Sequence, residues 1–369
     1  MRFFKFEFVN GFMRVKLEDV CLKGSSNLKQ SDVIDKNGEY EIYGASGLIG
    51  KVDFFHQEKP YIAVVKDGAG IGRTMLLPEK SSVIGTMQYI LPNEKVTPKY
   101  LYYVIRYMHL EKYFTGATIP HIYFKDYRKE EFNLCDLLEQ EKIVSTLSKI
   151  ETLITHLRTQ LEKLDLLVKA RFVEMFGDPE LNPYNWDNVT VSDVCSSIVR
   201  GPFGSALKKE FFVERSESTY KVYEQKHAIQ KSANIGTYYI TKEKYNELKR
   251  FECFAGDILM SCSGTMGELY QLPVGCEKGI INQALCKFTL NEKMLPICFL
   301  TYMRQTIGNL ETKGSGIKNI AAVSYVKAMP INLPPIKVQT QFADFVKKVD
   351  KSKFIALKMK ESIRRVKLL

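Results

Sequence analysis

Residues 61–73 read YIAVVKDGAGIGR, an apolar run that delivers Gly68, Gly70 and Gly72 at the spacing G-x-G-x-G. Glycines placed after a strand let backbone approach a nucleotide closely, so the stretch has the outline of a loop that cradles S-adenosylmethionine in a methyltransferase. The rest of that chemistry is missing. Lys66 stands where an acidic residue belongs, two positions before the first glycine, and the chain has no Asp/Asn/Ser-Pro-Pro-aromatic tetrapeptide; GDPE and NLPPI are the nearest strings. A second stretch, GASGLIGKV at 44–52, imitates a phosphate-binding P-loop. There Gly44 is too far from Gly50-Lys51, and Val52 replaces the required Ser or Thr. It reads better as a recognition loop in which Lys51 meets a phosphate. His56, His109, His121, His156 and His227 fall in no paired-ligand arrangement, and the eight cysteines include no C-x-x-C pair. Neither a metal site nor a disulfide framework is expected. With no Ser/His/Asp set or nuclease-like carboxylate cluster, the sequence predicts no catalytic residue, no cofactor and no metal.

Charge points instead to a binding role. The 369 residues carry 53 Lys and Arg against 42 Asp and Glu, a formal charge of +11, which favours a polyanionic partner such as double-stranded DNA. Several short stretches concentrate groups that reach phosphates or base edges. GATIPHIYFKDYRK (116–129) offers Thr118, His121 and Lys125, and its later counterpart GSGIKNI offers Lys318 and Asn319, where asparagine can grip adenine from the major groove. VRGPFGSALKKEFF contributes Arg200, Ser205, Lys208 and Lys209, and YEQKHAIQK contributes Gln225, Lys226 and His227. Lys66 and Arg73 flank the glycine stretch as phosphate contacts. A plain solvated surface accounts for any one of these residues equally well. The opening MRFFKFEFVNGF interrupts its apolar run with Lys5 and Glu7, and no later stretch approaches about 18 unbroken apolar residues. A soluble, cytoplasmic protein without membrane association is expected.

The elements that would position these groups occur twice. NEKVTPKYLYYVIR (93–106) matches NEKMLPICFLTYMR (291–304) at an offset of 198, which also sets Tyr127 beside Tyr325; Gln140 meets Gln339 at 199. VKLEDVC (15–21) answers VTVSDVC (189–195) at 174, so the second copy carries roughly two dozen extra residues. AGDILMSCSGTMGE (255–268) keeps the strand and turn of the opening stretch, with Gly267 answering Gly72, but not the G-x-G-x-G. Each copy begins with alternating β-branched and aromatic runs, such as YEIYG and YKVY, and ends in a long helical signal. In the first helix Ile143, Leu147, Ile150, Ile154, Leu157, Leu161, Leu164 and Val168 follow the 4,3 alternation of a coiled-coil seam until GDPELNP stops it. In the second, Phe342, Val346, Val349, Ala356, Met359, Ile363 and Val366 form a stripe interrupted by Ser352. A helix with one apolar seam needs a mate, and its repeat partner is the nearest available. The expected fold is α+β: two tandem globular domains separated by two long helices that pair as an antiparallel coiled coil, with pseudo-twofold repetition.

This order of elements resembles the specificity subunit of type I restriction-modification systems, the HsdS family. The resemblance covers nearly the whole chain. It is carried by the duplication, the E-Q-x-x-I helix entry (Glu139, Gln140, Ile143), the ARFVEMFGDP exit (Ala170–Pro179) and the RGPFGSALK opening of the second domain (Arg200–Lys208). It implies target recognition domains at 1–137 and 178–335, a spacer helix at 138–177 and a C-terminal helix at 336–369. It further implies that each domain reads half of an asymmetric bipartite DNA site, while two methyltransferase subunits dock on the helices and recruit restriction/translocase subunits. In LPPIKVQTQF, Val338 stands where the first copy has Glu139, and adding 199 to Phe176 gives 375, so a shortened second helix is expected. A first helix of about 38 residues would span roughly 57 Å, one to two DNA turns, and so act as a ruler. The alternatives are a methyltransferase or fused restriction-modification enzyme, and a coiled-coil interaction protein that binds no DNA.

Overall fold

The computed structural model describes residues 12–33, 36–116, 120–307 and 323–367. The chain divides into two compact units: Met1–His156 with Glu361–Leu369, and Leu157–Lys360. In the first unit four antiparallel strands form the main sheet in the order Cys21–Ser25, Met87–Pro92, Tyr61–Val65 and Thr74–Leu77. A smaller sheet orders Gly47–Val52, Tyr40–Gly44 and Ser82–Val83, the last two parallel. A ribbon pairs Met13–Lys16 with Glu131–Leu134. Side chains alternate across a strand, which explains the unbroken apolar run YIAVV. Ile62 and Val64 pack under the helix Pro98–Tyr107 with Leu101 and Ile105, whereas Tyr61, Ala63 and Val65 pack on the other face with Val83 and Tyr89.

The second unit repeats this topology. Its main sheet runs Cys195–Arg200, Leu285–Leu290, Ile258–Ser261 and Leu269–Gln271. Its ribbon pairs Asp187–Thr190 with Pro330–Leu333, and its smaller sheet again contains one parallel pair, Tyr220–Tyr223 with Gly279–Ile281. The offset between copies rises from 180 (Tyr40 to Tyr220) to 196 (Ile62 to Ile258, facing Ile90 and Phe288 in their sheets), so most of the extra residues lie between these strands. They form the helices Gln225–Ile229 and Lys242–Glu247 and the added strand Glu252–Cys253.

Both glycine stretches are hairpin turns. Gly72 adopts φ +78° and donates its N–H to the Val65 carbonyl at 2.9 Å; Gly267 adopts φ +79° and donates to Ser261 at 2.9 Å. A Cβ on Gly72 would lie 2.6 Å from the backbone nitrogen of Glu111, so shape, not a cofactor, requires glycine there. GASG turns between Tyr40–Gly44 and Gly47–Val52.

A buried glutamine starts each long helix. In the central helix, Leu137–Phe176, the Gln140 amide donates to the Lys95 and Cys135 carbonyls at 2.9 Å and accepts from Thr97 N–H at 2.8 Å. In the C-terminal helix, Ile336–Lys367, Gln339 donates to Lys293 at 2.8 Å and Pro334 at 2.9 Å and accepts from Leu295 N–H at 2.8 Å. The central helix ends where Gly177, at φ +81°, donates to the Val173 carbonyl. The Trp186 indole and the Tyr184 hydroxyl then cap the free carbonyls of Phe176 and Glu174 at 3.0 and 2.8 Å.

The first seam is as its spacing predicts: from 152 to 170 only Ile154, Leu157, Leu161, Leu164 and Val168 escape full exposure. Within the second unit the helices pair antiparallel. Asp165 meets Lys353 at 2.7 Å, the Arg171 guanidinium lies 5.7 Å from the Phe345 ring, and Phe176 packs on Phe342 with centroids 5.1 Å apart. Partner numbers fall as the central helix advances. Two sequence assignments need correction. The second stripe runs Phe342, Val346, Val349, Lys353, Ala356, Lys360, Ile363, while Met359 is exposed; lysine stems occupy heptad positions that an apolar search passes over. Val326, not Tyr325, is the counterpart of buried Tyr127: Tyr325 is exposed, because the offset is already 199 at the helix Val323–Lys327. The side chain of Val366 lies outside the described residues.

Replacing Gln339 with Ala leaves one buried N–H and two carbonyls unpaired and should destabilise the second unit by about 2–3 kcal/mol. Denaturation followed by the fluorescence of Trp186, the single tryptophan, reports on that unit; Gln140→Ala should shift this midpoint far less.

Candidate nucleic-acid interface

In the first unit the glycine hairpin gathers residues distant in sequence. Gly68 N–H donates to the Pro120 carbonyl at 3.0 Å and Ile122 N–H to the Lys66 carbonyl at 2.9 Å, which laces residues 120–122 to the turn. The His121 Nδ1 lies 2.6 Å from Asp67 Oδ1, with Lys66 Nζ 3.7 Å from Oδ2 of the same carboxylate. Tyr123 stacks near the His121 ring, with centroids 6.4 Å apart, and Lys125 Nζ lies 5.2 Å from the Tyr123 centroid. The Arg73 guanidinium donates to the Ala45 carbonyl at 2.9 Å and so ties the two hairpin turns together. Lys66, Arg73, His121 and Lys125 are thus drawn into one loop cluster. Lys51 is exposed on its strand opposite Glu41, beyond the turn itself, and Thr118 lies outside the described residues.

In the second unit Arg200 ends a main-sheet strand, and its guanidinium lies 5.2 Å from the ring of exposed Phe203. Arg200 Nε and Nη1 and Gln225 Oε1 are buried with no hydrogen-bond partner among the described residues. A hydrogen bond with Cys286, aided by the Arg200 charge, holds the Cys262 thiol below its usual range against the opposing effect of burial. Gln225 opens the helix Gln225–Ile229 and faces the turn at Gly264. Ser205, Lys208 and Lys209 are exposed, Lys208 lying 3.6 Å from Glu210, and Lys226 pairs with Glu224 at 2.6 Å. Lys318 and Asn319 lie outside the described residues.

His227 corrects the sequence reading. It is fully buried: Nδ1 accepts the Glu224 N–H at 2.8 Å, and Nε2 donates to the Ile235 carbonyl at 2.7 Å. Both ring nitrogens are occupied within the fold, so the imidazole is a structural group with nothing left for a base. Three residues near these clusters escaped sequence reasoning. Asp67 drew no reading from the sequence, where only its neighbour Lys66 was weighed, yet it meets a histidine 54 positions away; exposed Tyr123 and Phe203 supply aromatic faces beside cations. No local pattern carries the Asp67 contact.

A duplicated α+β unit with basic and aromatic loop clusters, each unit followed by a long seam-bearing helix, defines a two-domain DNA-binding scaffold. The model of the type I restriction modification DNA specificity domain matches residues 10–165 and again 183–365, and the chain belongs to that family. It is a non-catalytic DNA specificity subunit of a restriction-modification complex. The fold is similar to the S subunit of a type I restriction-modification system from M. genitalium, at 15% identity and TM-score 0.62, over 98% of this chain and 95% of that one. It is also similar to a chain solved in work on complex assembly and conformational transition of the type I R-M system, at 14% identity and TM-score 0.61, over 99% and 97%. No helix among the described residues is long and apolar enough to cross a membrane.

Burial holds the His227 pKa below its usual value. The unfolded chain takes up this proton near pH 6.5 and the folded chain resists it, so stability is full above about pH 6.5 and falls as pH drops. The Trp186 unfolding midpoint should therefore fall between pH 7.5 and 5.5. His227→Gln should lower the midpoint at pH 7.5 but flatten its dependence on pH.

Proposed function

We propose that each unit reads one half of an asymmetric bipartite site in double-stranded DNA, and that the helices set the gap between the halves. The observation that carries this reading is the repetition of the main-sheet and ribbon topology in the same order, combined with unlike loops: an Asp67–His121 cluster in one unit, and Arg200 with Gln225 in the other. Shared scaffold supports a shared task, and different side chains support different targets. The 40-residue central helix rises about 60 Å, between one and two turns of duplex. Two methyltransferase subunits dock along the helices and recruit restriction/translocase subunits, and the assembly works in the cytoplasm. Residues 1–137 and 178–335 are the recognition domains, 138–177 the spacer and 336–369 the C-terminal helix. Lys51, Lys66, Arg73, Lys125, Lys208, Lys209 and Lys226 supply phosphate contacts, whereas Arg200, Ser205 and Gln225 belong to base or sugar recognition.

Exchange of residues 184–334 for the corresponding domain of a relative should change one half of the methylated motif in cells carrying the partner subunits and leave the other half intact. A short in-register helical insertion near Leu157 should alter the gap and neither half-site. A change in a half-site after the insertion would contradict the spacing role. Both outcomes are read by sequencing methylated genomic DNA.

A further inference from the structure

The first unit holds a carboxylate where a phosphate-binding surface would exclude one. Asp67 lies in the basic loop cluster beside Lys66, with Arg73 and Lys125 in the same cluster, and its side chain is about one-third exposed. It is held from two sides: Lys66 Nζ lies 3.7 Å from Oδ2, and His121 Nδ1 lies 2.6 Å from Oδ1. The backbone fixes the pair independently, since Asp67 and His121 form an antiparallel bridge and Asp67 N–H donates to the Thr86 carbonyl at 3.3 Å. Tyr123 stacks on the histidine side. Among the described residues His121 Nε2 has no hydrogen-bond partner.

Resting on the DNA-reading role proposed above, we propose that Asp67 is a specificity-determining residue for the first half-site, that it accepts a hydrogen bond from the exocyclic amine of a cytosine or adenine in the major groove, and that His121 is its positioning residue. Charge decides between base and backbone. A phosphate brought to this point meets a carboxylate and is repelled, whereas an amine-bearing base edge finds an acceptor with unused lone pairs; the surrounding cations take the phosphates on either side. His121 Nδ1–H and the Lys66 ammonium orient the carboxylate and leave acceptor capacity on both oxygens. The arrangement belongs to the first unit alone among the described residues: in the equivalent turn of the second, Gly264 answers Gly68 and Ser263 takes the place of Asp67.

The test uses the full chain assembled with its modification subunits and a duplex library randomised across the bound site, with the bound fraction sequenced. Asp67→Asn keeps the shape and replaces one acceptor with a donor. It should relax or invert the preference at one position of the first half-site by about tenfold, leave the second half-site unchanged and not weaken binding to random duplex, because a negative charge is removed. His121→Gln should relax the same position to a smaller extent. Unchanged preference at every position overturns the assignment, and so does an equal loss of affinity for all sequences, which would mark a structural or phosphate role. A wild-type complex with no preference in the first half-site would instead overturn the proposed function on which the assignment rests.

Discussion

Two buried glutamines hold the molecule's plan together. A long amphipathic helix can leave a sheet domain at many angles, and an apolar contact alone fixes that angle poorly. Gln140 and Gln339 remove the freedom by spending one side-chain amide on three backbone groups from two segments: the turn from Asn-Glu-Lys into the short helix, and a residue two positions before the long one. Both side chains are fully buried, so a helix that departed at another angle would leave these groups unpaired without water to replace them. The same turn is anchored from behind in both copies, where Asn93 donates to the Asp19 carbonyl at 3.1 Å and Asn291 to the Asp193 carbonyl at 3.0 Å. Each long helix thus begins as an extension of the sheet domain that precedes it.

Beyond these anchors the helices are held by apolar and ionic contacts of different kinds. Phe172 and Phe176 join the core of the second unit and pack edge-on against Phe342, a large desolvated contact at the end of the pair. Further along, Asp165 meets Lys353 at a heptad position. The Asp165 side chain is 67% exposed, so the pair adds little stability, but a lysine in the seam restricts which partner position can face it. Aromatic burial supplies strength and the ion pair supplies register.

The repeat architecture was legible in the sequence because duplication supplies an internal control. A strand-and-turn kept in both copies, with the G-x-G-x-G present in one, already argued for a structural turn, and the equal φ of Gly72 and Gly267 bears that out. The first seam was readable because its residues are all apolar. The second was misread at Met359 because heptad positions 353 and 360 carry lysines, the Lys353 ammonium reaching Asp165 of the partner helix. The site was less legible. Single basic residues were easy to propose, but whether one faces solvent or serves the core depends on contacts made far along the chain: His227 looked like a reader and is a buried structural group, while Asp67 gave no signal and meets His121. Chemistry set by long-range pairing leaves no mark on local spacing.

The central claim is that one chain carries two unlike readers at a fixed separation. Long-read methylome sequencing of a host expressing this chain with its modification subunits tests it most directly. The account predicts a single asymmetric motif of two short half-sites separated by a gap of constant length. A continuous motif, a palindromic motif or a gap of variable length would contradict it.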